Sequence, residues 1–128
     1  MTDQQKPVPA PEPGQIWNIP DIVERGELFV TMLGRPTART DPPPPAIDTM
    51  SLHVYHLKKG EPDQQIPHKE DEAYYVVKGS GKITVENLTR EINEGDLVFV
   101  QRCARHHFHD YEDLALLVFF APLFTESR

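Results

Sequence analysis

Residues 60–79 read Gly-Glu-Pro-Asp-Gln-Gln-Ile-Pro-His-Lys-Glu-Asp-Glu-Ala-Tyr-Tyr-Val-Val-Lys-Gly, and this stretch decides how the chain folds. Its second half, residues 73–78, is rich in the aromatic and β-branched side chains that favour strands, and Gly79 closes it. His68 and Glu72 stand four residues apart, so an extended chain places both side chains on one face. The stretch therefore predicts a turn and a strand that present an imidazole and a carboxylate together.

Further strand-like segments lie on both sides of this stretch. They cover residues 28–33, 51–57, 82–86, 89–92, 97–100 and 114–120. Asn87, residues 93–95 and residues 101–107 separate the later segments, and helical periodicity is almost absent after residue 30. Earlier in the chain, Asp21 and Glu24 have the spacing of a short helix start. Short strands at this spacing predict an all-β fold, an antiparallel sandwich or barrel.

The prolines and the length predict the domain organisation. Prolines at positions 7, 9, 11 and 13 favour an extended conformation, so residues 1–13 are expected to form a flexible tail. Residues 14–128 then form a single domain, because 128 residues suit one domain better than two. Cys103 is the one cysteine in the chain, so no disulfide can form within it.

The net charge of −7 bears on possible partners. A chain with a pI near 5.3 is repelled by phosphate backbones and anionic lipid surfaces, so neither nucleic acid nor a membrane is an expected partner. The first residues lack the apolar core of a signal peptide, and the longest apolar run is too short to span a bilayer. A cytoplasmic protein is the resulting expectation.

The spacing of these residues resembles the two sequence motifs of the cupin family. The first motif reads Gly, five residues, His, one, His, three, Glu, six, Gly, and its positions fall on Gly60, Ile66, His68, Glu72 and Gly79. The second reads Gly, five residues, Pro, one, Gly, two, His, three, Asn, and its positions fall on Gly95, Gln101, Cys103, His106 and Asp110. The resemblance covers residues 51–121 and implies a jelly-roll barrel, an antiparallel double-stranded β-helix.

A metal site held by His68, Glu72 and His106 follows from the same resemblance. The family usually binds metal through three histidines and one glutamate, and here Ile66 stands at the first histidine. Two imidazoles and one carboxylate also make up the facial triad of non-haem iron sites. The expected cofactor is a divalent transition metal: iron, zinc, manganese or nickel. The alternative is a relic barrel, whose buried polar groups bond only to one another.

Several further residues are candidates for the surroundings of this site. Tyr74 and Phe108 each lie two residues beyond an expected ligand and are predicted to line the pocket with Ile66, although aromatic core packing explains the first two equally well. Gln64 shares the face of His68 by parity and could be a fourth ligand, but it could also be an ordinary loop glutamine. Glu70 shares that parity and is expected to face solvent.

The remaining histidines and the cysteine are expected to have structural roles. His53 and His56 are three apart on a strand, so they face opposite ways, and each is expected to be packed or at the surface. His107 should point away from the side of His106, towards the surface. Cys103 is expected to behave as a small buried apolar residue, with ligation of a metal as the alternative.

Three classes of function remain open from the sequence. The first is a metal-dependent enzyme acting on a small organic molecule, either by oxygenase-type chemistry or by Lewis-acid chemistry of the isomerase or lyase type. The second is a non-catalytic sensor or small-molecule-binding protein, and the third is a metal-free relic. The fold alone does not decide among them. Because β-rich domains with an uncovered edge associate readily, a homodimer is expected.

Overall fold

The computed structural model describes residues 13–34, 47, 49–63, 65 and 67–122. Within these residues the chain forms one short helix, α1 (Ile19–Glu24), and eight strands. The strands are β1 (Phe29–Leu33), β2 (Ser51–Lys58), β3 (Asp71–Lys78), β4 (Ser80–Val85), β5 (Leu88–Asn93), β6 (Leu97–Val100), β7 (His106–His109) and β8 (Asp113–Ala121). The predicted all-β class is therefore confirmed.

The strands form two antiparallel sheets. Five strands make one sheet in the order β1-β2-β8-β3-β6, and three make the other in the order β5-β4-β7. β8 lies at the centre of the larger sheet, paired with β2 on one side and β3 on the other. The two sheets together form the jelly-roll barrel that the sequence motifs implied.

The interior of the barrel is filled by alternate residues of the strands. Along β8, the inward side chains of Leu114, Leu116, Val118 and Phe120 are almost fully buried. Tyr74 and Val76 of β3, Ile83 of β4 and Phe108 of β7 belong to the same core cluster. Burial of a large apolar side chain contributes about 1.5–3 kcal/mol, so this cluster supplies much of the folding free energy.

The outer face of the five-stranded sheet is partly covered by α1. The Asn18 side chain caps this helix by accepting a hydrogen bond from the Asp21 backbone N–H at 2.9 Å. The helix therefore begins before the Asp21 start that the sequence suggested. Its Val23 is buried against Met32 and Val54 in a second apolar cluster. Among the described residues, no helix has the length and apolar character needed to cross a membrane.

Strand β7 is the element that the sequence analysis missed. Residues 101–107 were expected to be a break between strands, whereas residues 106–109 pair with β4. Burial does alternate along β7, because His106 and Phe108 face inwards and His107 outwards. Histidines occupy both kinds of position, so the alternation of apolar and polar letters that marks a strand is hidden.

Candidate metal centre

Two imidazoles and one carboxylate meet inside the barrel. His68 lies in the loop before β3, Glu72 is the second residue of β3, and His106 is the first residue of β7. One possible ligand atom from each lies within 4.8 Å of the others, and all three side chains are buried. Glu72 faces inwards because it pairs with Phe120 of β8, whose ring lies in the core. The fold thus brings together the three residues named by the sequence motifs.

The Glu72 carboxylate lies between the two imidazoles. Its Oε1 atom is 3.0 Å from Nε2 of His106, and its Oε2 atom is 3.5 Å from Nε2 of His68. The two imidazole rings have centroids 5.5 Å apart and are inclined by 55°. Each imidazole therefore approaches a different oxygen of the same carboxylate.

The other nitrogen of His106 fixes how its ring is protonated. Nδ1 donates a hydrogen bond to the carbonyl oxygen of Ala104 at 3.0 Å, since a carbonyl can only accept. In a neutral ring Nε2 then carries a lone pair and faces the Glu72 carboxylate, so two acceptors point at each other. Burial lowers the pKa of His106, but the hydrogen bond and negative charge of Glu72 outweigh burial and raise the pKa overall. The arrangement therefore favours a cation, either a proton or a metal ion, between these atoms.

Tyr74 adds a hydroxyl group to the cluster. Its Oη atom donates to Oε1 of Glu72 at 2.7 Å and lies 3.1 Å from Nε2 of His106. Burial, together with the charge of Glu72, raises the pKa of Tyr74 well above its usual value, so the phenol stays protonated at neutral pH. The ring packs edge to face on Phe108, with centroids 4.9 Å apart. The core thereby holds the hydroxyl group at the carboxylate.

Gln65 is the residue at this site that sequence reasoning missed. Its Oε1 atom lies 2.9 Å from Nε2 of His68, 3.2 Å from Nε2 of His106 and 3.1 Å from the Tyr74 hydroxyl oxygen. The sequence-based candidates on the same loop, Gln64 and Ile66, lie outside the described residues. No motif position marks Gln65, because its side chain is placed by a hydrogen bond to a neighbouring carboxylate rather than by strand periodicity.

Other sequence candidates lie elsewhere in the structure. His53 is buried on the inner face, where its ring bonds to the hydroxyls of Thr31 and Ser51. His56, which is also buried, has its Nε2 atom 2.5 Å from a carboxylate oxygen of Asp113.

Three further residues test what the sequence predicted about exposure to solvent. His107 is exposed on β7. Cys103 is exposed rather than buried, because it occupies a tight turn with φ of 68°. Glu70 is 4% exposed, so the expectation that it faces solvent is wrong. Glu70 shares the parity of the buried His68 and Glu72, so parity indicated its burial, and the expectation failed because it rested on the polarity of a carboxylate in a turn.

A pocket of about 380 Å³ lies beside the cluster. Its lining combines residues of the loop before β3, the end of β4 and the start of β7: Asp63, Gln65, Pro67, Thr84, Glu86, Arg105, His106 and His107. This size falls within the range of small-molecule sites, and most of the lining residues are of polar type. His106 and Gln65 are shared by the pocket and the cluster, but the His106 and Glu72 side chains are each only 1% exposed, so the pocket borders the cluster while its ligand atoms stay buried.

Comparisons with known proteins agree with this geometry. A family model described as the cupin domain matches residues 53–120, which is more than half of the chain. An uncharacterised protein of Streptomyces coelicolor is 43% identical over 74 residues, which cover 57% of this chain and 70% of that protein. The residues matched by the family model include β3 and β7, the strands that carry Glu72 and His106.

Solved structures show the same fold at low sequence identity. The DMSP lyase DddQ from Ruegeria pomeroyi superposes with a TM-score of 0.62 at 21% identity, over 73% of this chain and 45% of that one. The nucleoside dehydratase Pac13 has a TM-score of 0.56 at 20% identity, over 63% of this chain and 66% of that one. An oxalate decarboxylase has a TM-score of 0.58 at 24% identity, over 62% of this chain and 23% of that one. The chain thus spans only part of each of these structures.

Proposed function

The chain belongs to the cupin family, and from this premise we propose that it is a metal-dependent enzyme of the Lewis-acid type acting on a small oxygen-bearing molecule. The observation that carries the proposal is the buried Tyr74 hydroxyl, which lies within hydrogen-bond distance of both Glu72 and His106. A protonated donor held beside a set of metal ligands suits a reaction in which a bound molecule is polarised and a proton moves.

The residues present fit a divalent transition metal. His68, Glu72 and His106 supply two imidazole nitrogens and a carboxylate, which is a donor set for iron, zinc, manganese or nickel. The hydrogen bond from His106 Nδ1 to the Ala104 carbonyl orients the ring as a ligand, in the manner of the outer partners seen around metal-binding histidines. When bound, such a metal would act as a Lewis acid that polarises a carbonyl or hydroxyl oxygen.

Tyr74 is the proposed proton donor. Its raised pKa keeps the proton on Oη at neutral pH, and the same hydroxyl could donate to an oxygen atom of a molecule bound at the cluster itself. In the absence of such a molecule, the Tyr74 hydroxyl donates its hydrogen bond to Oε1 of Glu72, 2.7 Å away. The contact with Phe108 fixes the plane of the phenol ring, so the Tyr74 hydroxyl group does not have to reorient before it donates.

The pocket and the comparisons support a small substrate. Its 380 Å³ suits a molecule of metabolite size, and its lining includes the ion pair of Arg105 and Glu86, whose side chains are 3.6 Å apart. A lyase and a dehydratase occur among the structures of the same fold, and both names describe reactions that remove a group from a small molecule. These neighbours favour elimination-type chemistry as the reaction class.

Substitution of Tyr74 tests the proposal. Oxalate, a small chelating oxyanion, serves as the probe and is titrated into Co(II)-loaded protein while the visible absorption is followed. Tyr74→Phe should still bind Co(II) but should bind oxalate about tenfold more weakly, since one hydrogen bond to a charged group contributes about 1.5 kcal/mol. Tyr75→Phe is the matched control, because that neighbouring side chain is exposed on the outer face. Equal oxalate affinity in Tyr74→Phe and wild type would contradict the role given to Tyr74.

An oxygenase-type enzyme is the second candidate. The two-histidine, one-carboxylate set favours it, because this set is typical of non-haem iron oxygenases. The two candidates differ in their need for a redox-active metal. Elemental analysis of protein purified without added metal separates them: iron supports the oxygenase, whereas zinc supports the Lewis-acid enzyme.

A further inference from the structure

We propose that Gln65 is the fourth protein ligand of this centre and that Asp63 holds it in place. The proposal rests on the metal binding proposed above and specifies how this chain fills the place of the missing family histidine. An amide oxygen from the loop before β3 would thereby take the role that an imidazole has in the usual family site.

The position of the Gln65 oxygen is the first argument. Oε1 lies within 3.2 Å of both imidazole Nε2 atoms of the candidate ligands His68 and His106. An amide oxygen cannot donate a hydrogen bond, and the Nε2 atom of a neutral His106 also only accepts, because Nδ1 carries the ring's proton. Oε1 therefore adds a lone pair beside those of the Glu72 carboxylate and of a neutral His106, and the Tyr74 hydroxyl is a donor among them. A bound metal ion would accept the lone pairs that this one hydroxyl cannot satisfy.

The orientation of the amide is the second argument. The Gln65 Nε2 group donates to Oδ2 of Asp63 at 2.8 Å. If the amide were turned over, its oxygen would face the Asp63 carboxylate and its NH₂ group would face the imidazoles. The carboxylate therefore selects the orientation in which an oxygen, a possible metal ligand, points at the centre.

The anchoring of Asp63 is the third argument. Its Oδ2 atom also accepts from the Phe108 backbone N–H at 2.8 Å, and its Oδ1 atom accepts from the Tyr55 hydroxyl at 2.5 Å. Phe108 is two residues beyond His106 on β7, so the same carboxylate connects the loop of Gln65 to the strand of a candidate ligand. A side chain held from three directions is a positioning residue rather than a chance surface contact.

Co(II) binding tests the proposal, with the metal alone as the probe. Affinity is measured by competition with a chelator, and the visible absorption bands of Co(II) report the number and type of ligands. Gln65→Ala should bind Co(II) at least about tenfold more weakly and show altered bands, as loss of partners around metal sites costs about 10–100-fold. Gln65→Glu keeps an oxygen donor and should bind more tightly than Gln65→Ala. Gln101→Ala, an exposed glutamine on another loop, is the control and should match wild type.

Asp63→Asn tests the positioning role separately. It should fold, as judged by circular dichroism and melting temperature, yet weaken Co(II) binding and broaden or shift the absorption bands, because the amide of Gln65 loses its fixed orientation. A purely structural role for Asp63 would lower stability and leave the spectrum of the bound ion unchanged, and that result would overturn the positioning claim.

The outcomes also separate this inference from the proposed function. If Glu72→Ala loses Co(II) while Gln65→Ala keeps the wild-type affinity and spectrum, Gln65 is not a ligand although the centre is real. If Glu72→Ala binds Co(II) as tightly as wild type, or wild type binds none, the metal centre fails and the Gln65 proposal fails with it. Weakening in Gln65→Ala with an unchanged Gln101→Ala supports both.

Discussion

His53 is a histidine that the fold keeps neutral. Its ring lies between Phe29, with which it stacks at 4.8 Å, and Phe120, which meets it edge-on at 5.4 Å. Both ring nitrogens bond to hydroxyl groups, those of Thr31 and Ser51. Burial in these surroundings lowers the pKa of His53 to about 3. The ring therefore serves packing, as a neutral part of the barrel wall.

Acid stability should report this burial. Because the pKa of His53 is about 3 in the folded protein and about 6.5 when unfolded, the unfolded chain binds the extra proton between those values. The contribution of His53 is therefore complete above about pH 6.5 and is lost as the pH falls, by about 1.4 kcal/mol per unit. Denaturant unfolding between pH 7 and pH 4 should show a shallower loss in His53→Gln than in wild type. The exposed His107→Gln is the control, and equal slopes for wild type and His53→Gln would refute the prediction.

Single residues also show how far the sequence could define the site. His68, Glu72 and His106 could be named because fixed intervals along two motifs carry them. Gln65 could not, because its position depends on Asp63, and the position of Asp63 depends on a backbone N–H in β7, 45 residues away. Such a bond between distant segments leaves no periodicity in the sequence.

At the scale of elements, the turn between β3 and β4 depends on Gly79. Its φ is +88°, and a Cβ atom added there would lie 2.0 Å from the backbone oxygen of Asp113 in β8. The clash is with backbone, so a side-chain movement cannot relieve it. Absence of a side chain at Gly79 thus allows β3 and β4 to pass close to β8, and this explains the second glycine of the first motif.

Gly79→Ala should destabilise the fold strongly. Strained backbone costs about 1–3 kcal/mol and forced overpacking about 1–3 kcal/mol, so the free energy of unfolding should fall by about 2–6 kcal/mol. Gly60→Ala is the matched control, because Gly60 has φ of +89° but open space around its Cβ position, and it should lose only the backbone part. Chemical denaturation measures both. Equal losses in the two variants would show that the close approach to β8 is not what Gly79 provides.

Elements differed in how well the sequence predicted them. β6 was predicted with its observed bounds and β8 to within one residue at each end, because both segments are runs of apolar side chains. β7 was missed because histidines occupy both of its faces. Apolar, β-branched and aromatic residues therefore mark a strand in the sequence, as in β6 and β8, and a strand is missed when histidines replace them on both faces, as in β7.

At the scale of the whole molecule, one side of the five-stranded sheet is apolar and open. Leu97 and Phe99 of the edge strand β6 are 68% and 65% exposed, and Tyr75 of the adjoining β3 is 41% exposed. The three lie on the outward face, since Tyr74 and Val100 of the same strands point into the core. α1 covers the opposite end of this sheet.

We expect this face to pair with a second copy of the chain, which gives the predicted homodimer a specific interface. Exposed large apolar side chains on neighbouring strands favour association, and a two-fold pair buries the same patch on both copies. Light scattering at micromolar concentration should show a dimer for wild type and a monomer for Leu97→Glu/Phe99→Glu. Leu28→Glu, at an exposed leucine just before the opposite edge strand β1, is the control. A monomeric wild type would refute the prediction.

The metal content of the purified protein tests the central claim most directly. Protein exchanged against Zn(II) or Fe(II), then freed of excess metal, should hold about one ion per chain, as expected for one site of this type. The triple variant His68→Ala/Glu72→Ala/His106→Ala should hold almost none, whereas His107→Ala, an exposed histidine next to a ligand, should match wild type. Metal bound by the triple variant at the wild-type level, or a wild type that retains no metal, would contradict a metal centre at His68, Glu72 and His106.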